Sequence, residues 1–332
     1  MKKFILLSVA LLGICISTTA KTWRVNNTDA TANFSSLDDA MAGITAGDTL
    51  YLEGSPNTYT LSNPIMTKVA IIGPGYFLTE NPNTHYTKNY ANINNDVYIL
   101  AEGVLFEGIA ISSTSNSIIN LYIGSNNTTV RRCFIGNEIQ FSDKNNNTQL
   151  QINNTVITQC FIGKGGIGTS YSSVDKPYNA VVTNNIILNN SFSITYRPWI
   201  MGFYNSTIEN NTFGELGGIL SNVGCNIKNN ISYSAFYMTN NTSCTISNNY
   251  TSGTIDYILA TGASSDGQFQ LAKTSGGLTA AANGGQCGAF GGVTPYVLSG
   301  LANIPHIYEI DAPSAASAAS GLQVTLKIGT EK

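Results

Sequence analysis

Charged side chains are scarce in this chain, and their scarcity excludes several classes of protein. Of 332 residues only 11% are charged, and the formal net charge is −3. Nucleic-acid binding calls for clustered Lys and Arg, so the composition argues against nucleic acid as a partner and gives no electrostatic case for phosphate binding. The chain has only two histidines, which leaves little material for a histidine-based triad or a zinc site.

Long apolar runs are lacking beyond the first twenty residues, so we predict no transmembrane segment there. Residues 2–3 are basic, and residues 4–16 form an apolar run too short to span a bilayer comfortably. Small residues up to Ala20 are typical of a signal-peptide cleavage site, which predicts a mature chain beginning at Lys21. We expect a protein secreted by a bacterium or held at its surface or in its periplasm. Cys15 suggests a lipoprotein, but a bulky isoleucine precedes it where a lipobox has a small residue.

Paired cysteines are not evident either. Removal of the leader leaves an odd set: Cys133, Cys160, Cys225, Cys244 and Cys287. A disulfide framework calls for an even set, so we interpret these residues as small, buried core thiols.

Asparagine, by contrast, is abundant, and much of it belongs to a repeat. Asn occurs 39 times, more often than Lys, Arg, Asp and Glu together. A phrase of a β-branched residue, a polar residue and usually an Asn pair recurs, with anchors at Val130, Ile157, Val182, Ile208, Ile227 and Ile246. The repeat length of about 19 to 27 residues indicates a stack of coils, each burying its apolar face against its neighbours.

The phrase itself predicts two short strands joined by a tight bend. Alternation around the β-branched anchors indicates strands, and the Asn pair indicates the turn. Equivalent residues of successive coils then lie about 4.8 Å apart, where inward Asn side chains can form a hydrogen-bonded ladder. Cys133 and Cys160 occupy the ladder position in two coils. Glu209 and Lys228 are predicted to form an exposed ion pair between adjacent coils. Leucine-rich and helical repeats are excluded, because neither Leu spacing nor a 3.6-residue period is present.

Irregular coils with Asn-Asn turns resemble the right-handed parallel β-helix of the pectate lyase fold. The resemblance covers roughly residues 22 to 260 and predicts an all-β fold with an N-terminal capping helix. Phe34, Leu37, Met41 and Ile44 are spaced for that helix, with Ser35 or Ser36 as its N-cap. Helix, Gly47-Asp48 turn and strand resemble the opening of many secreted pectate-lyase-like proteins, and we interpret Asp48 as a turn residue.

The end of the chain carries a second resemblance. The segment from Cys287 to Tyr308 resembles the closing segment of secreted β-helix proteins of the Bacteroidetes type. We predict a signal peptide at 1–20, a β-helix domain at 21–292 and an extension at 293–332. Within this scheme, residues 262–292 are expected to close the C-terminal end of the barrel.

The catalytic motifs of the resembled enzymes are missing. Pectate lyases of this fold hold calcium with acidic residues and abstract a proton with an arginine, but their Trp-x-Asp-His and Arg-x-Pro-x-x-Arg segments do not occur here. The Asn-Thr-Asp, Asp-Asp and Gly-His-Gly segments of polygalacturonases are also missing. No cofactor is indicated, although Ca²⁺ stays possible. Arg197, Glu138 and Asp175 are the candidate catalytic residues, and glycoside hydrolysis would need two acids about 5–10 Å apart.

The candidate binding residues are aromatic. Tyr86 and Tyr90 belong to a predicted loop at 79–96, and exposed aromatic rings can stack on sugars. Longer excursions at Gly136–Asn154, Gly163–Asn179 and Asn189–Asn205 are predicted to stack as the wall of a groove. The third contains the further candidates Tyr196, Arg197 and Trp199. Each aromatic residue has an alternative role, namely packing on the barrel.

Three hypotheses follow for the function. The leading one is a monomer that binds extracellular polysaccharide. The second is an enzyme with an unfamiliar site, either a polysaccharide lyase or a glycoside hydrolase. The third is a structural or adhesive surface protein.

Overall fold

Parallel strands dominate the protein. The computed structural model describes residues 19–115, 117–142, 151–169, 175–188, 199–214, 217–233, 236–251, 264–315 and 321–330. Strands are numbered β1 to β29 along the chain. Three parallel sheets, A, B and C, run along the stack, and within each sheet a strand pairs with its equivalent in the next coil. This is a parallel β-helix, so the predicted fold class is confirmed.

The strands are short and succeed one another around each coil. Sheet A contains β1 (Thr22–Val25), β2 (Thr49–Leu52), β3 (Ala70–Ile72), β6 (Leu105–Glu107), β9 (Thr129–Arg131), β13 (Val156–Thr158), β17 (Val181–Thr183), β20 (Thr207–Glu209), β23 (Asn226–Lys228) and β26 (Thr245–Ser247). Sheet B contains β4 (Asn92–Ile93), β7 (Ala110–Ile111), β10 (Phe134–Ile135), β14 (Phe161–Ile162), β18 (Ile186–Ile187), β21 (Thr212–Phe213), β24 (Ile231–Ser232) and β27 (Tyr250–Thr251). Sheet C contains β5 (Val97–Ile99), β8 (Leu121–Ile123), β11 (Ile139–Phe141), β15 (Ile167–Gly168), β19 (Trp199–Met201), β22 (Gly217–Leu220) and β25 (Phe236–Tyr237). Beside sheet C, β12 (Gln151–Asn153) pairs with β16 (Lys176–Tyr178).

The core fills the interior of the barrel. The predicted anchors form one column of sheet A, since Val130 pairs with Ile157 and Ile157 with Val182 in direct register. Every anchor up to Ile227 is completely buried, whereas Ile246 in the last coil is 44% exposed. Burial of a Val or Ile side chain stabilises a fold by about 1.5–3 kcal/mol, so this column is a main source of stability. The outward position beside it holds the predicted ion pair, with Lys228 Nζ 3.1 Å from Glu209 Oε2.

The corner between sheets A and B contains the Asn pairs. The first residue at the pair position has a positive φ in six successive coils, between 51° and 57°, at Arg132, Gln159, Asn184, Asn210, Asn229 and Asn248. Asn tolerates this left-handed conformation better than most residues. The second Asn points inward, and Nδ2 of Asn185 donates to Oδ1 of Asn211 at 2.9 Å, as Asn211 does to Asn230 at 3.0 Å. The predicted ladder is confirmed.

The cysteines also lie where the repeat predicts. Cys160 continues the Asn ladder, because its backbone N–H donates to Oδ1 of Asn185 at 2.9 Å. All five cysteines beyond residue 18 are free thiols, and all but Cys244 are buried. The interpretation as buried core thiols is confirmed for these four residues.

A short helix covers the N-terminal end of the barrel, as predicted. Helix α1 (Leu37–Gly43) begins after Ser36, whose hydroxyl accepts a hydrogen bond from the backbone N–H of Asp39 at 3.0 Å. Leu37 and Ala40 are buried against the first coils. This covers apolar side chains that the first coil would otherwise expose.

A covering segment, residues 264–302, packs on the outer face of sheet B. It contains three turns of 3₁₀ helix, at Gly267–Phe269, Gly276–Leu278 and Leu298–Gly300. Its apolar residues bury outward side chains of sheet B, so that Ile186 and Ile231 are completely inaccessible. The prediction that residues 262–292 close the C-terminal end is wrong for the described residues, which lie along the side of the barrel. The predicted domain boundary at 292–293 falls within this segment and stays a prediction.

The described chain ends in an antiparallel hairpin. Strands β28 (His306–Asp311) and β29 (Thr325–Gly329) pair with each other, and Lys327 Nζ lies 2.8 Å from a carboxylate oxygen of Glu309. The hairpin contacts the loop before β4, where the Tyr86 N–H donates to the Ile307 carbonyl at 2.8 Å. Across the part of the chain that the structure describes, no helix has the length and apolar character needed to cross a membrane.

Candidate functional site

A groove runs along the corner between sheets B and C, near the N-terminal half of the barrel. It consists of two depressions of about 300 and 290 Å³, which share Tyr90 and Phe134 in their linings. Tyr90 comes from the loop before β4, and Phe134 points outward from β10. Because the two aromatic side chains line both depressions, we treat them as one site, the Tyr90 groove.

The groove offers both aromatic and hydrogen-bonding surfaces. Tyr90 is 40% exposed and Ile118 is 72% exposed. The larger depression is also lined by residues with hydroxyl or amide groups, namely Ser112, Ser113, Ser117 and Asn137. An aromatic face beside several hydroxyl and amide groups matches the chemistry of a sugar ring, whose C–H face is apolar and whose rim carries hydroxyls.

Two lysines stand at opposite ends of the groove. Lys164 lines one depression and Lys88 the other. Lys88 is held in place, since its Nζ donates to the Thr84 hydroxyl at 2.7 Å. Glu80 at the same end accepts a hydrogen bond from the Ser265 backbone N–H at 2.6 Å. The covering segment therefore fixes one end of the groove.

A hydrogen-bond network positions the amide at the other end. Asn137 donates from Nδ2 to Oδ1 of Asn120 at 2.5 Å, and Asn120 donates to the Tyr122 hydroxyl at 3.0 Å. Glu138 also accepts from the Asn137 amide, at 3.3 Å. Burial raises the pKa of the Glu138 carboxyl above its usual range, although hydrogen bonds from Gln140 and Asn137 oppose the rise. A carboxyl group that has a raised pKa and lies beside a groove is a candidate proton donor.

Stacked tyrosines on sheet C form a further aromatic surface, which the repeat pattern did not predict. Tyr98 and Tyr122 stack with ring centroids 4.4 Å apart and planes 5° from parallel. Tyr178 and Tyr204 stack similarly at 4.8 Å beside the next corner. A recurring Tyr-Ile pair, 98–99 and 122–123, is the sequence signal that could have revealed the first stack.

The predicted aromatic candidates lie in different places. Tyr86 is 55% exposed but lines a separate depression of about 340 Å³, next to the C-terminal hairpin. Trp199 belongs to β19 and is half-buried; a Cβ added to Gly218 would come within 2.4 Å of its ring, so the indole lies closely against the neighbouring strand. Tyr196 and Arg197 lie outside the described residues. Tyr90 is therefore the candidate that the structure places in the groove.

The candidate acids are not brought together. Glu138 lies immediately before β11, at the edge of sheet C that borders the groove, whereas Asp175 follows the sheet C strand β15 and is completely buried. The width of sheet C thus separates the two carboxyls. Among the described residues no group of three His, Cys, Asp or Glu side chains is arranged to hold a metal ion.

The predicted wall of stacked loops stays a prediction. Each of the three excursions contains a strand of sheet C, namely β11, β15 or β19, so part of their length belongs to the barrel. The segments 143–150, 170–174 and 189–198, on which the wall depends, lie outside the described residues.

Comparison with known proteins gives a likeness to a solved structure. No protein-family model matches the chain, and no curated protein matches it. Among solved structures, one described as the crystal structure of pectate lyase Pel9A is similar, with 13% sequence identity and a TM-score of 0.35. The match covers 82% of this chain and 96% of the other. The fold assignment rests on the strand pairing described above.

Proposed function

We propose that this protein is exported and binds polysaccharide through the Tyr90 groove. The observation that carries the proposal is that two depressions share the Tyr90 and Phe134 rings in their linings, with hydroxyl and amide groups beside them. Neighbouring depressions suit a chain-like ligand, and repeat proteins commonly bind along the stack. The low charge of the whole chain favours a partner recognised through hydroxyl groups.

Binding is tested with the chain from Lys21 and a panel of neutral and uronic polysaccharides, with and without Ca²⁺. Retention is measured by affinity electrophoresis and the dissociation constant by calorimetry. Aromatic contacts contribute about 0.5–1.5 kcal/mol, so Tyr90→Ala should weaken binding about 2- to 13-fold. Absence of binding to any polymer would reject the proposal and leave a structural or adhesive role.

Tyr86→Ala is the matched control for this experiment. Tyr86 and Tyr90 are exposed tyrosines of the same loop, but only Tyr90 lines the groove. Tyr86→Ala should leave the dissociation constant unchanged. An equal loss of affinity in both variants would show that the loop binds as a whole or that the ligand lies elsewhere.

A second candidate function, polysaccharide cleavage, is favoured by Glu138. The raised pKa of this carboxyl and its hydrogen bond from Asn137, which lines the groove, are typical of a general acid. The same polymers are therefore assayed for new reducing ends and for unsaturated products. Cleavage that Glu138→Gln abolishes while Tyr90-dependent binding persists would establish an enzyme, and binding without cleavage would leave a binding protein.

A further inference from the structure

Asp48 contributes a buried carboxylate beside the first two strands of sheet A. Asp48 is 1% exposed at the start of β2, and its oxygens accept three hydrogen bonds. The donors are the backbone N–H of Lys21 at 2.8 Å, the indole N–H of Trp23 at 2.9 Å and the backbone N–H of Thr45 at 3.0 Å. These bonds lower the pKa of Asp48 to about 2, with the Trp23 indole as the largest cause, so the group is charged.

This carboxylate has neutral donors but, within the described chain, no ion pair with a Lys, Arg or His side chain. Removing a carboxylate from water is costly unless a cation compensates it. One of the three donors differs from the others, because Lys21 is the residue at which the sequence predicts the mature chain to begin. Ala20 and Lys21 are both exposed, and Lys21 continues directly into β1.

We propose that the chain is cleaved between Ala20 and Lys21 and that the new α-ammonium group of Lys21 is the counter-ion of Asp48. A processing peptidase and water are the co-reactants. The Ala20–Lys21 C–N bond breaks, the water oxygen becomes part of the Ala20 carboxylate, and the Lys21 nitrogen becomes an ammonium. That nitrogen already lies 2.8 Å from Asp48 Oδ1, so no rearrangement is needed to form the ion pair.

The ion pair would fasten the first strand to the second. Lys21 is already tied to β2 through its carbonyl, which accepts from the Thr49 N–H at 2.7 Å, and its side-chain ammonium lies 5.3 Å from the Trp23 ring centroid. Cleavage then converts a neutral hydrogen bond into a charge-assisted one, which is shorter and stronger. The cut end becomes a structural part of the barrel. This inference shares the export step with the proposed function but does not depend on polysaccharide binding.

The first experiment identifies the mature end. The full chain with residues 1–20 is produced in a bacterium, and the exported product is examined by intact mass and N-terminal sequencing. We expect the product to begin at Lys21. A product that begins at another residue, or that retains residues 1–20, would overturn the proposal.

The second experiment tests the effect of a positive charge on the Lys21 nitrogen. A protein that begins at Lys21 is compared with one that begins at Thr19, in which the ammonium is displaced by two residues and the Lys21 nitrogen is an amide. Urea unfolding of both is measured from pH 6 to pH 10. An α-amine has an ordinary pKa of about 7.7–8.0, and pairing with Asp48 should raise it in the folded state. The ion pair then stabilises fully below pH 8, and the stabilisation is lost as the pH rises through the raised value.

The expected result is a pH-dependent difference between the two proteins. One unit of rise in the pKa changes the folding equilibrium constant about tenfold. The other charged groups near this nitrogen are the Asp48 carboxylate and the Lys21 ε-ammonium. Lys68 follows nearby, but its contact is a hydrogen bond from the Gly47 N–H to the Lys68 backbone carbonyl. All are present in both proteins and cancel in the difference. Identical pH profiles would overturn the proposal. Asp48→Asn in the Lys21 protein should abolish its pH-dependent difference from the Thr19 protein. If that variant does not fold, the comparison of the two proteins that keep Asp48 tests the proposal by itself.

Discussion

The two residues of each Asn pair in the barrel make different contacts, one outward and one inward. The first Asn adopts the left-handed conformation and points outward, where Asn184 donates from Nδ2 to the carbonyls of Ala289 and Gly291 at 2.9 and 2.8 Å. The second Asn points inward and joins the ladder. The same turn thus closes the coil, satisfies buried backbone groups and binds the covering segment.

Asn211→Ala should destabilise the protein by about 2–4 kcal/mol, because it leaves several buried polar groups without partners. The Asn211 side chain donates to the carbonyls of Val182 and Glu209, and it accepts from Asn185. The measurement is the free energy of urea unfolding. Asn249→Ala is the control: Asn249 ends the described ladder and is half-buried, so water can replace its hydrogen bonds. Equal losses in the two variants would contradict the role of burial.

Residue patterns predicted the inner ladder but not the outer contacts. Regular spacing places Asn185 and Asn211 in one column, and Cys160 could be assigned to it by the same spacing. The partners of Asn184 are backbone carbonyls in a Gly- and Ala-rich stretch, which has no side-chain pattern to identify it. The Tyr90 groove was missed for a related reason, since it needs Phe134 of one coil and a loop from another to meet in space.

At the scale of elements, the C-terminal hairpin is joined to the barrel by the only two histidines of the chain. The rings of His85 and His306 are 4.8 Å apart, and the His306 Nε2 lies 3.1 Å from the Asn83 carbonyl. Burial, then the proximity of His306 and Lys88, lowers the pKa of His85 to about 4. The hairpin therefore docks best when His85 is neutral.

Acidification should release the hairpin. Because His85 has a lower pKa when the hairpin is docked, the docked state binds fewer protons, and its stability falls as the pH drops from about 6.5 towards 4. Hydrogen exchange at 306–311 and 325–329, corrected for intrinsic rates, measures this loss, with 156–158 as an internal reference.

His85→Phe keeps an aromatic ring at the contact but removes the titrating group. The ionisable side chains of the hairpin are His306, Tyr308, Glu309, Asp311 and Lys327, and they are unchanged in this variant. We expect protection of the hairpin to become less dependent on pH between 6.5 and 4. The same pH dependence in the variant would assign the effect to His306, Glu309 or Asp311 instead.

At the scale of the whole molecule, the covering segment connects coils that do not touch one another. Its backbone carbonyls accept hydrogen bonds from turn residues along the barrel, including Asn248, Asn184 and Arg132, whose Nη1 donates to the Leu301 carbonyl at 2.9 Å. A buried cluster near the groove adds to this, where the hydroxyls of Tyr76 and Tyr296 are 2.6 Å apart. The apolar outer face of sheet B makes the segment necessary.

Truncation should distinguish the contribution of the C-terminal hairpin to stability from that of the covering segment. A chain of residues 21–303 lacks the hairpin and should still unfold cooperatively. A chain of residues 21–263 also lacks the covering segment and would expose Phe161, Ile186 and Ile231, each burial stabilising by about 1.5–3 kcal/mol. Against a typical stability of about 5–15 kcal/mol, this chain should bind a hydrophobic dye and lose its cooperative melting transition. Equal stability of the two chains would show that the segment is dispensable.

Because the covering segment follows every coil of the barrel in the sequence, the coils leave the ribosome before the segment that covers them. Asn184 binds residues about a hundred positions later in the chain, and the partner of Arg132 lies still farther along. Until the covering segment is made, sheet B has an uncovered apolar face, so we expect chaperones to recognise the nascent chain.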